Sequence, residues 1–95
     1  MANYKMNNDQ LLDRNNRVLG KFYNNQILDA NNRTILKIYN DDFMDANNRT
    51  IAKLYGQDVL DSNNRKISTV SDIKREIDGS LGGRTVVAFW LAFIK

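Results

Sequence analysis

Ninety-five residues make one small domain, in which every apolar face is needed for a core. The sequence has no Cys, His or Pro. This removes disulfides, thiolate metal sites, the usual neutral-pH proton shuttle and the commonest metal ligand, and it sets catalysis aside. The net charge of +3 is distributed as a mixture of both signs rather than as a basic patch, which points away from nucleic acid as a partner.

In chain order, the first residues, Met1-Ala2-Asn3-Tyr4-Lys5-Met6, lack an apolar run behind a basic one, so a cytoplasmic location is the expectation. Tyr4-Lys5-Met6 reads as half of a repeating unit that leads into Gln10-Leu11-Leu12-Asp13. A sixteen-residue repeat then takes over. Leu12-Asp13-Arg14-Asn15-Asn16-Arg17 recurs as Leu28-Asp29-Ala30-Asn31-Asn32-Arg33, Met44-Asp45-Ala46-Asn47-Asn48-Arg49 and Leu60-Asp61-Ser62-Asn63-Asn64-Arg65. The units span about 10–25, 26–41, 42–57 and 58–72.

Each Asp-to-Arg interval ends in Asn-Asn, and Asn is the residue after glycine that best tolerates left-handed backbone. A three-residue hairpin loop needs a type I turn followed by one such residue, a role that falls to Asn16, Asn32, Asn48 and Asn64. The flanking Asp either pairs with Arg across the strands or accepts the loop N–H groups as an Asx-turn. Runs such as Thr34-Ile35-Leu36-Lys37-Ile38-Tyr39 follow. Alternation puts Ile35, Lys37 and Tyr39 on one face and Thr34, Leu36 and Ile38 on the other. Pairs such as Asn24-Asn25 and Asn40-Asp41 reverse the chain again.

Stacked as a solenoid, Lys21, Lys37 and Lys53 would lie about 4.8 Å apart, the spacing of neighbouring strands. Like charges at that distance repel, so a meander that inserts a strand between them is preferred. The tail holds a degenerate fifth unit over 73–94. Segment 72–78 is either an extended stretch, which is preferred, or a short helix with Asp72 as its cap and Ile73 and Ile77 on one face. Thr85–Ile94 matches the repeat strands with its Lys and Tyr positions replaced by Ala88 and Trp90; a buried helix is the alternative, but its Val, Phe and Trp content favours an apolar core strand. Its ten residues are about half of the ~20 that a membrane-spanning helix needs, so no membrane span is expected.

The expected fold is all-β: sixteen-residue β-hairpin repeats form an antiparallel meander, closed as a barrel or as a prism-like or sandwich arrangement around the C-terminal strand. Asp29-Ala30-Asn31-Asn32 opens like a calcium loop but lacks that loop's Gly and Glu, and no metal or other cofactor is implied. The rhythm of Asp, Asn and Tyr resembles the β-prism lectins of the monocot mannose-binding type, whose signature is Gln-x-Asp-x-Asn-x-Val-x-Tyr. Gln10 and Gln26 stand three residues before the Asp rather than two, and no sugar ligands carry over. Over most of residues 10–94 the chain is similar to small, uncharacterised bacterial repeat proteins in which Asp-x-x-Asn-Arg-x-Ile hairpins run into an apolar C-terminal segment. That resemblance implies an all-β fold and brings no activity with it. The longer tyrosine-aspartate repeat proteins of bacterial surfaces and toxins share the rhythm. The function expected from these readings is a non-catalytic structural or protein-interaction module with a protein partner or a second copy of itself; the alternative is a lectin-like binder of carbohydrate or another small ligand. In either case the candidate surface is Lys21, Tyr23, Lys37, Tyr39, Lys53 and Tyr55.

Overall fold

A computed structural model describes residues 3–79 and 82–94; of the degenerate fifth unit read over 73–94, residues 80 and 81 lie outside the described residues. Nine strands follow one another: β1 (Tyr4–Asn7), β2 (Gln10–Asp13), β3 (Val18–Tyr23), β4 (Gln26–Asp29), β5 (Thr34–Tyr39), β6 (Asp42–Asp45), β7 (Thr50–Tyr55), β8 (Asp58–Asp61) and β9 (Lys66–Thr69). Each pairs antiparallel with the next, as the meander expectation requires. A short helix α1 (Val70–Glu76) then leads to the two-residue strand β10 (Ile77–Asp78), which joins β1 in parallel. The sheet order is β10-β1-β2-β3-β4-β5-β6-β7-β8-β9.

This order leaves the sheet not closed as a barrel, because β9 and β10 are its two ends and do not pair with each other among the described residues. Seven residues of helix, about 10 Å at 1.5 Å per residue, carry the chain from one end of the sheet to the other. The ends must therefore lie close together. The last segment fills the hollow as helix α2 (Gly83–Phe89) followed by a π-helical turn (Trp90–Ile94).

The loops are built as their residues dictate. Asn16, Asn32, Asn48 and Asn64 have φ of 65°, 66°, 66° and 65°. Asn32 N–H donates to Asp29 O at 3.0 Å and Asp29 N–H to Arg33 O at 2.9 Å, which is the type I turn with a left-handed closing residue. The two roles read for Asp coexist on one carboxylate. Asp29 Oδ1 accepts the N–H of Asn31 at 2.8 Å and of Arg33 at 3.0 Å, while Oδ2 meets Arg33 Nε at 3.4 Å. Asp13 and Asp45 do the same in their units. In the tight turn, Asn24 and Asn25 both have positive φ, 51° and 61°, as a primed two-residue hairpin demands.

Three expectations are corrected. First, β5 bulges: Ile27 faces Leu36 and Leu28 faces Thr34, leaving Ile35 as the extra residue. The bulge takes Ile35 off the face of Lys37 and packs it against the core, together with its repeat equivalents Leu19, Ile51 and Ile67. Second, 72–78 is extended only at its end, where Ile77–Asp78 form β10; residues 72–76 are helical. Helix α1 starts at Val70, with Thr69 Oγ1 accepting the N–H of Asp72 at 3.2 Å; Val70 and Ile73 are its buried residues, and Ile77, the first residue of β10, is buried just beyond its end. Third, the apolar C-terminal segment belongs to the core as read, but as helix and not as strand. Val86, Val87, Ala88 and Phe89 are consecutively buried, and Phe89 stacks on Phe93 with ring centroids 6.3 Å apart. The fifth unit over 73–94 is thus a helical plug that no longer resembles a hairpin.

Sheet and plug meet through Leu11, Ile27, Leu36, Phe43, Ala52 and Val59, all buried on the inner face. Within the column Gly20, Leu36, Ala52, Ser68 the glycine is required by a close approach: a Cβ at Gly20 would collide with the ring of Phe93 and come within 2.5 Å of Leu28 O.

Candidate functional site

Register places the six candidate residues together on the outer face. Opposite residues of antiparallel strands share a face, and the pairs Lys21–Leu28, Lys37–Met44 and Lys53–Leu60 alternate along the sheet with Gln10–Lys21, Gln26–Lys37 and Asp42–Lys53. Tyr23, Tyr39 and Tyr55 stand opposite Gln26, Asp42 and Asp58 on that same face. An intervening strand puts successive lysines about 9.6 Å apart along the sheet, twice the strand spacing.

The tyrosines are 61%, 64% and 76% exposed. The lysines are half-buried, and the ammonium groups of Lys37 and Lys53 reach the three-residue loops. Lys37 Nζ donates to Asn48 Oδ1 at 2.8 Å and Lys53 Nζ to Asn64 Oδ1 at 3.4 Å. These bonds tie each of the two lysines to the loop of the next repeat unit.

Around this column lie residues that the sequence reading missed. Leu28, Met44 and Leu60 are half-buried on the outer face between the lysine strands. Their signal was an apolar residue just before every Asp of the repeat. Beside Tyr55, an open groove of about 430 Å³ is lined by Asp41, Asp42, Lys53, Leu54, Tyr55, Leu60 and Asn64. Asp41 is tied to the plug, its Oδ1 lying 3.3 Å from Arg84 Nε.

The loop carboxylates are electrostatically settled. The backbone N–H of Arg33 holds Asp29 below the usual carboxylate range; partial burial opposes this, and the Asn31 N–H and the Arg33 charge add to it. Asp13 is lowered in the same way by Arg17, and Asp45 by Arg49 with a further contribution from Lys37. A carboxylate already accepting two backbone N–H groups is a poor base and a poor metal ligand. Among the described residues no three Asp or Glu converge as a metal site requires, and no helix is long and apolar enough to cross a membrane. No protein-family pattern, no curated protein and no solved structure matches the chain.

Proposed function

We propose that the chain is a non-catalytic structural or protein-interaction module that self-associates through the tyrosine and lysine column of its outer face. One observation carries this reading: among the described residues, the exposed aromatic side chains are Tyr23, Tyr39 and Tyr55, in equivalent places of three successive units, while Phe22, Phe43, Phe89, Trp90 and Phe93 are packed against or within the core. Tyrosine gives a large contact area for little conformational entropy and is enriched where interfaces draw their affinity. The half-buried Leu28, Met44 and Leu60 supply an apolar floor between the rings, and the lysines supply a charged rim. Light scattering over a concentration series tests it. The average mass should rise with concentration for the native chain and stay at the monomer value for the Tyr23→Ser, Tyr39→Ser, Tyr55→Ser triple variant. A native chain that is monomeric throughout removes the proposal.

The groove beside Tyr55 favours a second reading, a lectin-like binder of carbohydrate or another small ligand. Its volume lies in the range of small-molecule sites, and it combines an aromatic ring with carboxylates, an ammonium and an amide. A glycan array separates the readings, since a ligand binder gives a titratable hit and an assembly module does not.

A further inference from the structure

We infer that the groove formed by Asp42, Lys53, Tyr55, Leu60 and Asn64 is a site for an uncharged saccharide, an inference that rests on the second reading above and names its ligand class and residues. The charges of the groove cancel in pairs. Asp41 is engaged by Arg84 at 3.3 Å, and Asp42 stands directly opposite Lys53 in the strand register. An ionised ligand would therefore gain from one partner and lose to the other. A neutral ligand rich in hydroxyls faces no such conflict, because hydroxyls donate to the Asp42 carboxylate and accept from the Lys53 ammonium, both as charge-assisted hydrogen bonds.

The remaining lining fixes the shape of the ligand. Leu60 is a half-buried apolar floor, and the Tyr55 ring, 76% exposed, is an apolar wall with a polar rim. A pyranose has the matching anatomy, C–H groups on its faces and hydroxyls around its edge. The 430 Å³ of the groove has room for more than one such ring. The polar side of the site is partly organised before any ligand arrives, because Asn64 Oδ1 holds Lys53 Nζ at 3.4 Å and so limits the search of a long, flexible side chain.

Comparison along the repeat marks this unit out. Lys37, Tyr39, Met44 and Asn48, then Lys21, Tyr23, Leu28 and Asn32, repeat the set, but the position of Asp42 is held by Gln26 and Gln10. Of these three sets, only the one at Tyr55 has a carboxylate opposite its lysine, so only there do a charged donor and a charged acceptor for ligand hydroxyls stand face to face.

The test uses the full chain on an array of neutral, acidic and basic glycans. Titration then follows with the best neutral hit against the native chain, Asp42→Asn, Tyr55→Ala and, as a remote control, Arg14→Ala, with backbone amide shifts of the native chain recorded during titration. The expected result is a neutral glycan whose affinity falls at least tenfold in Asp42→Asn and in Tyr55→Ala, holds in Arg14→Ala, and whose shifts centre on Lys53, Tyr55 and Leu60. The shift map reads the site even where a variant folds poorly. A neutral glycan that binds with shifts elsewhere, or with affinity indifferent to both substitutions, overturns this site and leaves the second reading standing. Binding of charged glycans alone contradicts the charge argument. Absence of any glycan binding overturns both.

Discussion

Substituting Gly20 by alanine puts one methyl group where the plug meets the sheet. That methyl would overlap Phe93 Cζ and lie 2.7 Å from Phe93 Cε2 and 2.5 Å from Leu28 O, and of the three only the ring belongs to a side chain that can turn aside. Overpacking of this kind costs about 1–3 kcal/mol. Removing a glycine from the unfolded chain returns about 0.4–1 kcal/mol. The net loss is about 1–2 kcal/mol, which lowers the melting temperature of a chain this small by roughly 4–16 °C. Urea denaturation followed by circular dichroism measures it, with an unchanged slope confirming that the folded and unfolded states expose the same surface. Because two of the three contacts are with Phe93, Phe93→Ala should cost less in the Gly20→Ala background than in the native one, a coupling of roughly 0.5–1 kcal/mol. An alanine variant as stable as the native chain, or strict additivity with Phe93→Ala, refutes the docking of Phe93 on Gly20 and with it the seating of the helical plug.

Other consequences are open to measurement. Asp13, Asp29 and Asp45 have folded pKa values below the ordinary 3.8, so the stability they confer is complete above that value and lost as pH falls through their lower folded values; thermal melts between pH 5 and pH 2 should show the decline, and Asp29→Asn should make it shallower. Arg33→Ala should leave the decline almost unchanged, because the largest cause of the Asp29 shift is a backbone N–H that truncation keeps. Asn16→Val, which forces a β-branched residue into φ 65°, should lower stability by about 1–2 kcal/mol, whereas Asn16→Gly should stay within a few tenths by the same denaturation assay. Arg84→Ala removes an ion pair exposed on both sides, and its melt should overlay the native curve, since such pairs contribute about 0–1 kcal/mol.

The hairpins were legible because their chemistry is local. An Asp, two Asn and an Arg at fixed offsets define a turn whatever surrounds them, and the register of the turn then puts Lys37 and Tyr39 on one face without further information. The bulge at Ile35 was not legible, since nothing in Thr34-Ile35-Leu36 distinguishes a regular alternation from one that slips by a residue to send both Ile35 and Leu36 inward. Helix α1 did carry a local signal, Thr69 three residues before Asp72, but it sits at the end of a strand run, and reading Asp72 as the cap placed the start of the helix too late. The plug was the hardest. Val86-Val87-Ala88-Phe89 is buried on all sides, so it shows neither the helical nor the strand period, and its valines and aromatic residues weighed toward strand. The groove beside Tyr55 needed the register of three strands before Asp42, Lys53 and Leu60 could be seen as neighbours.

The claim that the tyrosine column is the working surface is tested most directly by the ring resonances of isotope-labelled tyrosine as the protein is concentrated. The chain has four tyrosines, and only Tyr4, half-buried against the core, lies off the column. The account predicts that the signals of Tyr23, Tyr39 and Tyr55 move with concentration while that of Tyr4 stays in place. Four stationary signals, or movement of Tyr4 alone, would contradict it.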